Sequence, residues 1–451
     1  MNVNKHWLLF VLTFVLVIPM QAQQDPAKVF DQIEGYWQGA FIKNNAHQRM
    51  DVQFFENEGK FLSLQIIEEW HPQFGEFQIP VEVDSAGTIT MNTGHGKAKM
   101  NLDANNLEII GQLENTAPVV YVHLKKTAPP PSDPFDIVEV TIDNSGIQLA
   151  GHLHIPKIST QQTAIIVVGG RGCYPGSTKY DLTAKMLREY GVATLVYNKR
   201  GTGKSSGDCD QATIEDLASD VRACKEFLEN HPNGFQKIGV IGSSAGGWVM
   251  LKAQEKSDFD FLISVVGPST SVKDQQIQSA VYGTEFYKLS EDSKTELLNY
   301  TELLCEAEAS EKTFESISNL LLKAEENGWM ELLDETDKPS SKDDIQNLWV
   351  RRHSFDPGKI LSQFQNPYLA IYGDKDWIVP YKENVKRLNE LFEGERAKLL
   401  KTVVAYNAEH GTEKEGKYIN MKNEHSYWHF FRISPQVKIE IIQFLKDNGF
   451  I

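Results

Sequence analysis

Six stretches in the C-terminal two-thirds of this chain are apolar almost from end to end: TAIIVVGG (163–170), VATLVYN (192–198), KIGVIG (237–242), FLISVVG (261–267), NPYLAIYG (366–373) and LLKTVVAY (399–406). A strand with one wet face alternates polar and apolar residues. An unbroken apolar run of this length reads instead as a strand covered on both faces, the condition of a parallel sheet. Segments of helical period lie between the runs. In 213–230, Ile214, Leu217, Ala218, Val221 and Leu228 form one stripe, and Thr213 with Asp216 has capping-box spacing. Ser434-Pro435 opens a last helix with Val437, Ile441, Phe444 and Leu445 inward. Ahead of the series, DIVEVTID and IQLAGHLHIP flank Asn144-Ser145-Gly146 as an antiparallel hairpin. A hairpin followed by β-α repeats predicts an α/β fold over 135–451: a mostly parallel sheet flanked by helices.

One connection breaks the rhythm. Between FLISVVG and NPYLAIYG run about ninety residues of amphipathic pattern, too long for a structureless loop in a compact domain. The reading is a helical insertion over about 269–365, expected to cover whatever lies at that end of the sheet.

The N-terminal part differs. From 30 to 127, short alternating strands such as MDVQF, KFLSLQI and AKMNL are separated by turn signals, which predicts an antiparallel barrel or sandwich. TAPPPSDP follows, and its prolines join neither ladder nor helix, so 128–134 reads as a stiff linker. Lys5 and His6 precede WLLFVLTFVLVIPM and QAQQDPA, the layout of a secretory signal peptide over 1–23. The apolar run is shorter than the roughly 18–20 residues of a span. Cleavage near Ala22 or Gln23 would leave a periplasmic or extracellular protein with no membrane span. At 41% apolar and 24% charged the composition is globular. The formal charge of -16 disfavours a nucleic-acid partner, because phosphate binding needs a basic surface.

Within IGVIGSSAGGW (238–248), Gly242-Ser243-Ser244-Ala245-Gly246 fits G-x-S-x-G with Ser244 at its centre. A buried strand precedes it and a helix follows. A serine hydroxyl is a weak nucleophile, and a sharp strand-to-helix bend exposes its oxygen while aiming a helix N-terminus at the reacting group. The plain alternative is a tight turn with an idle serine.

With these residues the region resembles the α/β-hydrolase family, and most of all bacterial secreted esterases and serine-peptidase-like hydrolases with a small β-rich N-terminal domain. YNKRGTGKSSG (197–207) is similar to the family's D-x-R-G-x-G-x-S stretch, with Asn198 where aspartate is common. The resemblance implies a triad in chain order Ser, Asp or Glu, His. GDKDWIVP then supplies Asp376, with Asp374 as the alternative, and the end of LLKTVVAYNAEHG supplies His410, with His425 and His429 as alternatives. An oxyanion hole would use the backbone N–H groups of Ala245 and Arg171, the latter in VVGGRGCYPG, where Gly169-Gly170 replace the family's His-Gly. The Arg171 guanidinium is open to two readings: contact with an anionic substrate group, or an exposed loop arginine. The same strand order sets Cys173 and Cys209 on neighbouring loops, where a disulfide is one pairing among those the sequence allows.

The implied activity is cleavage of a small-molecule carboxylic ester through an acyl-enzyme, without metal or organic cofactor. Peptide or amide cleavage is the alternative, and a non-catalytic binding protein on the same scaffold the third. Gly201-x-Gly203-Lys204-Ser205 lacks the first glycine of a phosphate loop. His152 and His154 share a strand face with no third metal ligand nearby, and read as structural imidazoles.

Overall fold

The computed structural model describes residues 25–43, 46–67, 76–93, 96–129, 134–157, 162–179, 181–412 and 433–451. The signal-peptide segment 1–23, most of the proline linker, and His425 and His429 lie outside the described residues. Two compact units emerge, one on each side of that linker.

The first unit is a closed barrel, β1 to β8 in sequential order (Gly35–Lys43, Ala46–Asn57, Lys60–Ile67, Glu76–Val83, Ile89–Thr93, Gly96–Asp103, Glu108–Leu113, Val120–Thr127). Closure comes from antiparallel pairing of β1 with β8, Tyr36 opposite Thr127 through Lys43 opposite Val120. The barrel thus replaces the sandwich alternative, and closure removes both sheet edges. Alternation directs Phe41, Met50, Phe54, Met91, Met100, Ile109 and Leu124 into the interior. Helix α1 (Pro26–Ile33), capped by Asp25, packs on through stacked Phe30 and Phe61, and Trp37 Nε1 donates to the Ile33 carbonyl at 2.6 Å.

The second unit holds an eight-stranded sheet in the order β16-β15-β14-β13-β11-β12-β10-β9. Its strands are β9 (Phe135–Asn144), β10 (Ile147–Pro156), β11 (Thr163–Val168), β12 (Ala193–Tyr197), β13 (Lys237–Ser243), β14 (Phe261–Val265), β15 (Tyr368–Gly373) and β16 (Leu400–Ala405). The β9–β10 hairpin is antiparallel, β10 runs antiparallel to β12, and the other pairs are parallel. Period two divides each central strand between two cores. Ala164, Ile166 and Val168 of β11 join Val240 and Leu262 on one face, whereas Ile165 joins Ile241, Ile263 and Ile371 on the other.

Helices α3 (Ile214–Glu229) and α4 (Gly246–Gln254) cover the first face, while α2 (Leu182–Arg188) and α11 (Pro435–Asp447) contribute to the second. Helix α3 carries the Thr213–Asp216 capping box. Between β14 and β15 the insertion folds into α5 (Val272–Phe286), α6 (Glu291–Glu306), α7 (Glu311–Glu326), short 3-10 turns, α8 (Trp349–Arg352) and α9 (Gly358–Gln363). Arg351 donates to the carbonyls of Leu303, Leu304 and Ala307, satisfying the orphan acceptors at the end of α6. Helix α10 (Tyr381–Leu391) links β15 to β16. Among the described residues, no helix is long and apolar enough to cross a membrane.

Because β11, β13, β15 and β16 are parallel, the loops leaving their C-terminal ends share one rim. That rim is where ligands meet open α/β sheets.

Candidate active site

Ser244 occupies the bend between β13 and α4 with φ +51°, a left-handed conformation disfavoured for a residue with a Cβ. The surroundings hold it there. Its N–H donates to the Val265 carbonyl at 3.0 Å, and its carbonyl accepts from Gly247 N at 2.8 Å. The glycines around it make the tight approach feasible. A Cβ on Gly242 would lie 2.5 Å from the Gly246 carbonyl oxygen, and one on Gly246 would lie 2.5 Å from that of Val168. Behind the bend, Trp248 Nε1 donates to the Thr270 carbonyl at 2.8 Å, and its ring packs 6.1 Å from that of Trp349 in the cap.

The loops after β15 and β16 bring two more groups to the same rim. His410 Nε2 lies 2.9 Å from Ser244 Oγ, and His410 Nδ1 lies 2.8 Å from Asp376 Oδ2. Asp376 is fully buried at its side chain. Its other oxygen, Oδ1, accepts from the N–H groups of Ile378 and Val379, both at 2.9 Å. The carboxylate is therefore oriented from behind, and the Nδ1–H tautomer leaves Nε2 free to accept the serine proton. Asp374 is used elsewhere: its Oδ1 accepts from Ala408 N at 3.1 Å and pins β15 to the chain leaving β16.

The loop after β11 runs alongside. A Cβ on Gly170 would stand 3.0 Å from the Ser244 Cβ, so this backbone lies against the nucleophile. The Arg171 amide belongs to this loop, and Ala245 stands at the N-cap of α4 directly after Ser244. The Arg171 side chain is not the exposed loop arginine of one expectation. It reaches into the cap, donating to Asp337 at 2.9 Å and to Thr336, with its guanidinium 4.3 Å over the Trp349 ring. The physical reason is charge: buried Asp337 offers it a carboxylate inside the cap.

Cys173 and Cys209 are joined as a disulfide that ties this loop to the one following β12, whereas Cys224 and Cys305 are free thiols. Two further ties come from that second loop. Asn198 Oδ1 accepts from Gly176 N at 3.0 Å, and Lys199 Nζ donates to the carbonyls of Gly170 and, at 3.0 Å, Gly172. Burial pushes the Lys199 ammonium down to about 8.

His152 and His154 hold the loop ahead of α2. His152 Nδ1 meets Thr178 Oγ1 at 2.8 Å, and His154 Nε2 donates to the Thr178 carbonyl at 2.9 Å while Arg188 donates to its Nδ1. Burial pushes His154 down to about 4.

The three side chains open into a cavity of about 530 Å³ between the rim and the cap. Trp248, Trp349 and Trp377 form much of its wall, with Ile378, Leu332 and Leu333, and the carboxylates of Glu331 and Asp334 lie at its cap side. Hydrogen-bonded Ser, His and Asp beyond the ends of parallel strands β13, β16 and β15, with the serine on a glycine-flanked elbow, decide the architecture. The fold is that of the α/β hydrolases.

A family profile agrees at this level. Residues 160–318 match the family profile described as serine aminopeptidase, S33. The palmitoyl-protein thioesterase ABHD10 of Homo sapiens is 28% identical over 102 residues, covering 23% of this chain and 32% of that protein. The chain thus spans about a third of the length of the curated relatives it matches first. Among solved α/β structures, esterase Pf2001 of Pyrococcus furiosus is 16% identical with a TM-score of 0.42, covering 71% of this chain and 96% of its own. Est1E of Butyrivibrio proteoclasticus, solved with ferulic acid, is 18% identical with a TM-score of 0.43, over 69% and 100%.

Lys199, Trp377 and the Arg171–Asp337 pair are absent from the sequence-derived site. Lys199 sits inside the YNKRGTG stretch, but its partners are backbone carbonyls, which leave no mark in a sequence. Trp377 adjoins Asp376, and that adjacency is the one signal available for it.

Proposed function

We propose that this protein is a serine hydrolase that cleaves small to medium carboxylic esters through an acyl-enzyme on Ser244. One observation carries the reading: His410 bridges Ser244 and Asp376 at hydrogen-bond distance on both sides, beside a walled cavity. In the proposed route His410 Nε2 takes the Ser244 proton as Oγ attacks the ester carbonyl. The negative charge gathering on the carbonyl oxygen is met by the Ala245 and Arg171 amides. Collapse breaks the acyl–oxygen bond, and the leaving alkoxide takes the proton from His410. A water molecule, deprotonated by His410, then attacks the acyl carbon, and the acid departs as Ser244 is reprotonated. Asp376 keeps the imidazole in its Nδ1–H form and stabilises the imidazolium without taking the proton. This route draws on three side chains, two backbone amides and water.

A second reading, amide or peptide cleavage, is favoured by one feature. Glu331 at the cap side of the cavity suits a substrate with a terminal ammonium, whereas Asp334 is already engaged by Arg171 and Thr336. We also place the reaction outside the cytoplasm, a reading supported by the signal-like N-terminal segment and by a disulfide suited to an oxidising compartment.

Stopped-flow turnover of nitrophenyl esters and aminoacyl nitroanilides tests both. Ester hydrolysis with a burst of one nitrophenol per chain, absent in Ser244→Ala, is expected. Faster anilide than ester turnover would give the second reading priority, and equal rates in wild type and Ser244→Ala would remove the first.

A further inference from the structure

We propose that Lys199 is a positioning residue for the oxyanion hole: by holding the Gly170 carbonyl, its ammonium turns the Arg171 N–H toward Ser244. The proposal rests on the Ser244 reading above and adds to it the group that sets the second donor.

The peptide plane couples the two groups. Resonance keeps the C=O of residue 170 and the N–H of residue 171 nearly antiparallel in one rigid unit. Fixing where the carbonyl points therefore fixes where the N–H points. Gly170 cannot fix itself, because a glycine without a Cβ leaves the backbone its widest freedom, and Gly172 beside it has φ +107°. An external clamp is required, and Lys199 Nζ supplies it by donating to the Gly170 carbonyl and, at 3.0 Å, to that of Gly172.

The other ties fall elsewhere on the loop. The disulfide acts at Cys173 and the Asn198 amide oxygen at Gly176, while Asp337 holds the end of the Arg171 side chain rather than its peptide. The Lys199 contacts, by contrast, fall on the carbonyls of Gly170 and Gly172 themselves. Gly169-Gly170 stand where the family resemblance implies His-Gly, so a support from another element takes the place of a local one.

Energetics favour a purpose for the charge. Burial disfavours the ammonium, as its depressed pKa records. A methionine would fill similar space without that cost. What a methionine lacks is a donor strong enough to orient two carbonyls, and charge-assisted hydrogen bonds are about twice as strong as neutral ones.

Lys199→Met in the full chain tests the proposal, with Lys199→Gln as the second variant should the first fold poorly. Removing one oxyanion donor outright costs about 10²–10³ in kcat, so misdirecting one is expected to cost about 10- to 100-fold, with KM changed less than about twofold. Inhibition by a trifluoromethyl ketone, whose tetrahedral adduct carries the same oxyanion, should weaken in proportion to kcat/KM. Hydrogen exchange at 170–172 should quicken while β13 and α4 keep their protection. Unchanged kcat in a folded variant, or unchanged exchange at 170–172, would overturn the proposal. If wild type and Ser244→Ala turn over alike, the serine reading fails, and the exchange arm still decides by itself whether Lys199 holds the loop.

Discussion

At the scale of single residues the site is governed by small backbones packed against one strained serine. Gly170 offers the sharpest case, since a methyl there would lie 3.0 Å from the Ser244 Cβ and 3.5 Å from Oγ. Gly170→Ala is therefore expected to lower kcat/KM by at least about tenfold by crowding the attack path, with an unfolding midpoint near wild type. Asp376→Asn should keep the fold but lose about 10³–10⁴ in kcat, because the amide can stabilise the wrong imidazole tautomer. Steady-state kinetics beside a circular dichroism melt checks both. Ser244, Asp376 and His410 can be marked in the sequence because each follows a recognisable buried strand at short, fixed spacing. Lys199 cannot be marked in this way. Its role depends on a carbonyl nearly thirty positions upstream, and a lysine on a polar loop reads as an ordinary exposed cation. The Arg171 side chain is illegible for the same reason: its partner Asp337 lies inside the long insertion, 166 positions away.

The secondary elements show where local chemistry suffices and where it does not. Thr213 closes the start of α3 in both directions, its hydroxyl accepting from Asp216 N while the Asp216 carboxylate accepts from Thr213 N. Thr213→Ala should cost about 1 kcal/mol in urea unfolding, without altering the midpoint of ester saturation. That box, like the Pro435 start of α11, is written in four adjacent residues and so is readable. The sheet is readable too, because burial on both faces forces unbroken apolar runs. The cap is readable only as helical material. How α5 to α9 pack depends on contacts such as Tyr300 Oη donating to the Asp337 carbonyl at 2.6 Å and Trp329 meeting Tyr300, pairs that no local pattern announces. The barrel strands alternate plainly, but barrel and sandwich share that alternation, and the β1–β8 pairing that decides between them joins the two ends of the unit.

For the molecule as a whole, charge burial predicts how stability responds to acid. His154 and His353 are both held to about 4 by desolvation, against an ordinary value of 6.5. Across that interval the unfolded chain takes up protons that the native state refuses, so their contribution is present above about pH 6.5 and is lost as pH falls toward 4. Asp181, the buried cap of α2, runs the other way. Burial raises it to about 7, so it is protonated in the fold and ionised in the unfolded chain between about 4 and 7, and its contribution fades as pH rises through that range. The two histidines outnumber it, and a net acid decline in melting temperature is expected. His154→Gln should flatten that decline, and Asp181→Asn, which keeps an acceptor for Ala184 N, should steepen it; scanning calorimetry from pH 4.5 to 8 reads both. The proposed reaction requires His410 and Asp376 to make one hydroxyl in this chain a nucleophile. Its most direct test is a fluorophosphonate reaction followed by intact mass and peptide mapping. One adduct per chain, on the peptide carrying Ser244 and strongly slowed in the His410→Ala variant, is the result predicted. An adduct on another residue, or equal labelling when Ser244 is replaced by alanine, would contradict it.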